Sequence, residues 1–140
     1  MATSAVSYPL TSIEGIDVNV ALALKATGVR SSIGLLERAS TPRGRKALAV
    51  KTGFGEKQLL CWANMADRMR VNGVRREYAV LLSAAGVDTI KDLAHRNPRK
   101  LAEAMRDANA KRKLVRLLPS EKSVTRWIDH AKKLSGKIKY

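Results

Sequence analysis

The sequence predicts an all-α fold that is duplicated internally. Three observations carry that expectation. The apolar fraction is 45%, dominated by alanine and leucine, while aromatics reach only 4%. That mixture suits helix packing better than sheets, which favour Val, Ile, Thr and aromatic side chains. Apolar residues recur at spacings of three and four between glycines, prolines and capping side chains, the pattern of amphipathic helices with defined ends. The order of these signals in the first half then returns in the second. With 140 residues, the chain can bury about two-thirds of its unfolded surface in a core that needs neither metal nor disulfide.

The elements follow in order. Residues 1–12 are small and polar and are expected to form a flexible N-terminal arm. Asp17 caps a helix to about Thr27, which Gly28 stops. Ser31 or Ser32 starts a short helix through Ile33, Leu35 and Leu36. Thr41-Pro42 is a cap followed by proline at the first helical position, where the missing N–H costs nothing; this helix runs to about Thr52 and ends at Gly53. Glu56 to about Val71 forms a long helix whose buried stripe draws on Leu59, Leu60, Ala63, Met65, Ala66 and Met69. Arg75 to Ala85 is a helix ended by Gly86, and Asp88 caps a short one through Ile90 and Leu93. Asn97-Pro98 repeats the cap-plus-proline start, with Leu101, Ala104, Met105 and Ala108 at helical spacing. Lys111 to Leu118 reads as a further short helix, interrupted by Pro119. Ser120 caps the last helix, which carries Val124, Trp127, Ile128, Ala131 and Leu134, and residues 135–140 form a basic tail.

The duplication can be laid out residue by residue. Gly15-Ile16 matches Gly73-Val74, Leu22 and Leu24 match Val80 and Leu82, and Gly28-Val29 matches Gly86-Val87. After a one-residue slip Ile33 and Leu36 match Ile90 and Leu93, Pro42 matches Pro98, and Lys57, Trp62 and Ala66 match Lys122, Trp127 and Ala131. The units span 13–71 and 72–134. Each is small for an independent core, so the two are expected to pack into one compact helical body.

Within each unit a Gly-apolar pair leads into a helix that ends at Gly-Val, and Gly53-Phe54-Gly55 adds a third such turn. These turns resemble the helix-hairpin-helix motif. Glycines let the backbone turn tightly and approach a ligand, and the helix that follows offers unpaired N–H groups and a positive dipole end to a phosphate. Gly53-Phe54-Gly55-Glu56-Lys57 has both glycines, with Lys57 nearby and Glu56 as a repelling acid. Gly15-Ile16-Asp17 has an acid in place of the second glycine and is expected to be structural. Gly73-Val74-Arg75-Arg76 puts two cations there and is the preferred phosphate contact. Leu118-Pro119-Ser120-Glu121-Lys122 has no glycine turn. Against all of this stands the simpler reading that the turns only connect helices.

The segments TPRGRKALAVKTGFGEKQLLCWANMADRMRVNGV, AAGVDTIKDLAHRNPRKL and KLVRLLPSEKSVTRWIDHAKKL resemble a bacterial family catalogued as domain of unknown function 4332, over about Ile13 to Leu134. The resemblance implies tandem helix-hairpin-helix architecture and no settled activity.

Charge points to the partner. There are 27 Lys+Arg against 12 Asp+Glu, a net +15, which speaks for a polyanion and says nothing of fold. Residues 72–140 carry 17 basic and 7 acidic side chains against 10 and 5 in residues 1–71, so the second unit is the better polyanion face. Arg43, Arg45 and Lys46 crowd one helix start, and Arg96, Arg99 and Lys100 crowd its counterpart. Lys111, Arg112, Lys113 and Arg116 form a denser cluster, and Lys132, Lys133, Lys137 and Lys139 lie at the end. Trp62 and Trp127 read as matched packing residues, with base stacking the alternative.

Catalysis finds little support. His95 and His130 lack metal-ligand spacing, and no nucleophile motif or Walker-type loop occurs. Cys61, the single cysteine, sits in an apolar run and reads as a small core residue. No secretory signal is read at the N-terminus, and no run approaches the ~18 apolar residues of a membrane span. A cytoplasmic location is expected, nucleoid-associated if DNA is the partner.

The function expected from sequence is therefore non-catalytic, sequence-nonspecific binding of nucleic acid, chiefly double-stranded DNA, with no cofactor and no metal. Gly53, Gly55, Lys57, Gly73, Arg75, Arg76, Arg99, Lys100, Lys111, Arg112, Lys113 and Arg116 would make the contacts. The alternative is a protein-interaction or scaffold module.

Overall fold

The computed structural model describes residues 7–140, and among these it contains eight α-helices, one short 3-10 turn at Leu10–Ser12 and no strand. The helices are α1 (Val18–Lys25), α2 (Ser32–Ala39), α3 (Pro42–Thr52), α4 (Glu56–Arg68), α5 (Arg76–Ala84), α6 (Ile90–Ala94), α7 (Pro98–Arg112) and α8 (Glu121–Lys132). α4 packs against α2 and α3, α8 packs against α6 and α7, and α4 meets α5. One continuous apolar core runs through all of them, including Leu24, Leu35, Leu59, Leu82, Leu93, Leu101 and both tryptophans.

Local chemistry sets the helix starts. Asp17, Thr41, Asn97 and Ser120 accept hydrogen bonds from the N–H groups of Val20, Gly44, Lys100 and Ser123, each filling one of the four N–H groups a helix leaves open. Of the two serines, Ser31 is the cap of α2. At α6 the cap is Thr89, not Asp88. The Asp88 carboxylate instead accepts from the Ser83 hydroxyl at 2.7 Å.

The expected helix from Lys111 to Leu118 does not exist as such. α7 continues through Arg112 and stops at Lys113, whose φ of 49° is left-handed. The Asn109 side chain then bonds both the N–H and the C=O of Val115, at 2.9 and 3.1 Å. A side-chain amide that satisfies the backbone in this way offers it an alternative to helix, and Pro119 prevents recovery downstream.

The matched glycines and tryptophans form matched contacts. Gly15 and Gly73 have φ of 92° and 90°, and a Cβ on either would lie 2.9 Å from the indole Nε1 of Trp62 or Trp127 respectively. The glycine is required twice over in each turn, by the positive φ and by the ring. Arg38 donates to the Thr27 carbonyl behind one helix stop, and Arg96 donates to the Gly86 carbonyl behind the other.

Residues 8–10 and 135–140 are held against the helices. Of the predicted arm, residues 1–6 lie outside the described residues. In the remainder, Tyr8 and Ser32 exchange hydrogen bonds through the Tyr8 N–H and carbonyl, and Leu10 is buried. The predicted basic tail is a strap across the first half. The Ser135 carbonyl accepts from Arg70, the Lys137 N–H donates to Asp67, the Lys139 carbonyl accepts from Arg45, and the Tyr140 hydroxyl donates to Asn64. Arg45, Asp67 and Arg70 are buried. Arg45 therefore leaves the basic cluster at the α3 start, where Arg43 and Lys46 remain exposed. Ending the chain at Leu134 would strip buried charged groups of partners, a loss of roughly 3 kcal/mol or more; urea unfolding of the shortened chain checks this.

Two further residues were misjudged or unforeseen. Cys61 is exposed, because Leu59, Trp62, Ala63 and Ala66 define the inner face of α4 and position 61 falls outside it. Arg68 is buried and donates to the carbonyls of Ala79 and Asp88. Burial pulls its pKa below the ordinary arginine value, and the Asp88 charge partly offsets this. No described helix is long and apolar enough to cross a membrane.

Candidate nucleic-acid interface

Six of the eight helices begin with a side-chain cap. The two that do not are α4, led by Gly55, and α5, led by Arg75. These are the helices that follow the two turns singled out as phosphate sites. Their first-turn N–H groups have no side-chain acceptor, whereas the Asp17 carboxylate fills the corresponding position at α1.

The α5 turn is the more elaborate. Val74 N–H donates to the Val71 carbonyl, Gly73 turns left-handed over the Trp127 ring, and Asn72 N–H donates to His130 Nδ1 at 3.0 Å. Arg75, exposed and extended, occupies the cap position. Arg76 follows, its Nε 2.8 Å from Glu14 Oε2. The Tyr78 hydroxyl donates to the Leu117 carbonyl, which fastens the loop after α7 to α5. The result is an open groove of about 920 Å³ lined by Glu14, Gly73, Arg75, Arg76, Tyr78 and Lys113, among others.

Of the predicted residues, the structure thus brings Gly73, Arg75, Arg76 and Lys113 together. Lys111 and Arg112, in the last turn of α7, and Arg116, in the following loop, are exposed and adjoin Lys113 along the chain. Arg99 and Lys100 lie in the first turn of α7, about 20 Å from its far end at 1.5 Å per residue. Arg99 stands 3.6 Å from Glu103 in an exposed pair of the kind that contributes little. Gly53, Gly55 and Lys57 are not brought to the groove. They lie at the N-terminal end of α4 and do not line the groove, and Lys57 instead lines a smaller depression with Cys61, Asn64 and Asp88.

Acids temper both helix starts. Glu56 and Glu77 lie in the first turns of α4 and α5, where a carboxylate suits the helix dipole but opposes a second anion. Trp62 and Trp127 are 3% and 4% exposed, so neither ring offers a face for base stacking. They carry Phe54 and Tyr78, with ring centroids 5.4 and 5.2 Å apart.

Sequence reasoning missed Glu14 as a groove residue and Tyr78 as the tie to the loop. Neither has a local signature, because both pairings join distant segments. Among the described residues no group of three or more His, Cys, Asp and Glu side chains could hold a metal ion.

No curated protein and no solved structure matches the chain. The model of a domain of unknown function, DUF4332, matches residues 14–134, and the chain belongs to that family.

Proposed function

We propose that this protein binds nucleic acid, chiefly double-stranded DNA, without reading its sequence, and that its turns work as tandem helix-hairpin-helix units in a non-catalytic role. The observation that carries the reading is the pairing of missing caps with glycine turns. The two helices that leave their first N–H groups open are the two preceded by Gly53-Phe54-Gly55 and Gly73-Val74-Arg75. An open helix N-terminus is an anion site, and at α5 the cap position itself holds a cation. A net charge of +15 supplies the long-range attraction.

In this reading the phosphate backbone lies along the Gly73 groove, held by the α5 N–H groups, Arg75, Arg76 and Lys113, and extended by Lys111, Arg112 and Arg116. Arg99 and Lys100 continue the contact along α7. The Gly53 turn with Lys57 is a second, separate phosphate position. The contacts are to backbone, which positions a duplex without specifying its bases. A binder of this kind works in the cytoplasm, at the nucleoid.

If about five phosphates are neutralised, log affinity falls with log salt at a slope of roughly −4.5. Fluorescence anisotropy with a short duplex, repeated across salt concentrations, measures this. A slope near zero, or no binding at low salt, rejects the reading.

A second reading, docking of a protein partner, draws on one observation: Val18 and Leu22, one turn apart on α1, are 66% and 58% exposed. It expects an interaction that survives nuclease treatment and charge reversal at Arg75 and Arg76.

A further inference from the structure

Two acids line the Gly73 groove, Glu77 of α5 and Glu14, and Glu14 belongs to the first half of the chain. Glu14 lies in the turn before α1, and its N–H donates to Met65 Sδ on α4 at 3.2 Å. Its carboxylate reaches Arg76 at 2.8 Å, and the two side chains are 52% and 51% exposed. A ligand phosphate approaching the α5 N-terminus therefore finds one of its two flanking arginines already occupied by an anion. Glu14 lines the same groove as Gly73 and Arg75, so it stands where a phosphate would stand. An exposed ion pair is weak. A duplex that makes several contacts at once can displace Glu14, whereas a single phosphate, gaining one contact, has little surplus to do so.

We propose that Glu14 is a built-in competitor for phosphate in the Gly73 groove, setting a threshold that a contiguous polyphosphate backbone passes and an isolated phosphate does not. This rests on the nucleic-acid reading of the groove and adds to it the kind of anion the groove accepts. Arg75, which forms no ion pair among the described residues, makes the first contact. Arg76 is released from Glu14 as the backbone settles, and Lys113, which also lines the groove, adds a further contact.

The test is a double-mutant cycle on the full chain. Wild type, Glu14→Gln, Arg76→Ala and the double variant are titrated with a short DNA duplex at fixed salt, and their melting temperatures are recorded with and without inorganic phosphate. Both substitution sites are about half exposed, and the melting curves report directly that each variant is folded. Glu14→Gln is expected to bind duplex about three- to fivefold more tightly, the worth of one exposed ion pair. That gain is expected to vanish on the Arg76→Ala background. Phosphate is expected to raise the melting temperature of Glu14→Gln more than that of Arg76→Ala, while wild type responds like Arg76→Ala.

An unchanged or weaker Glu14→Gln overturns the proposal, as does an equal gain on both backgrounds, which would reduce Glu14 to a distant charge. A phosphate response equal in wild type and Glu14→Gln overturns the threshold. The wild-type titration separates the two levels: duplex binding with its salt dependence intact leaves the nucleic-acid reading standing even if Glu14→Gln fails. If none of the four chains binds duplex, both readings fall.

Discussion

Replacing Trp127 by alanine is expected to remove about 3–5 kcal/mol of stability, a large share of the roughly 5–15 kcal/mol that holds a domain of this size together. The ring is 4% exposed and lies under the Gly73 turn. It also carries Tyr78, which in turn fastens the loop after α7. The loss is therefore larger than the transfer energy of an indole, because the turn above it and the loop beside it lose their seat. The reciprocal change tests the same contact from the other side. Gly73→Ala places a methyl 2.9 Å from Nε1 at a φ of 90°, and is expected to cost about 2–4 kcal/mol through left-handed strain and overpacking together. Trp62→Ala and Gly15→Ala should behave alike, since their geometry is the same. Urea unfolding followed by circular dichroism measures all four. A loss under about 1 kcal/mol for either tryptophan would mean that the ring is not the support of its turn.

Reversing charge at Arg75, Arg76 and Lys113 to glutamate is expected to weaken duplex binding at least about 100-fold at 0.1 M salt. Each phosphate contact contributes a salt slope of about 0.9, close to eightfold per contact between 0.1 and 1 M, and a carboxylate in its place repels. The control carries the same change in net charge elsewhere. Lys91, Lys132 and Lys133 are exposed on the α6–α8 surface, and their reversal should weaken binding by no more than about tenfold. Equal losses from the two triples would show that only total charge matters and that the groove has no special part. Because Arg75 and Arg76 are exposed, thermal unfolding should move little in either triple.

What was legible in the sequence follows from how local each determinant is. Caps act over three residues, and five of the six capping side chains were named, Ser31 as one of two candidates. The sixth, at Thr89, lay one place beyond the expected Asp88. The glycine and tryptophan correspondences also came through, because positive φ admits few residue types and large rings mark core positions. The loop after α7 was misread as helix, since nothing in the periodicity of Lys111–Leu118 reports that the Asn109 amide will capture Val115. Arg45, counted in the basic cluster at the α3 start, is an interior donor to backbone carbonyls, and so is Arg68, for which the sequence carries no signal. Composition counts a charge but does not say where its guanidinium ends. The site was legible as a set of turns and cations. That Gly73 and Lys113 share a groove while Gly53 and Lys57 stay outside it depends on packing between distant segments.

The strap formed by residues 135–140 makes the timing of synthesis matter. Arg45 meets the Lys139 carbonyl across 94 positions, and Asp67 meets the Lys137 N–H across 70. As the chain emerges during translation, the first half must wait with three charged side chains still hydrated, and it cannot seal its own interior until residues 135–140 arrive. Hydrogen exchange at the amides of α3 and α4 should therefore be governed by residues 135–140, so that the two halves, alike in sequence, open as one unit.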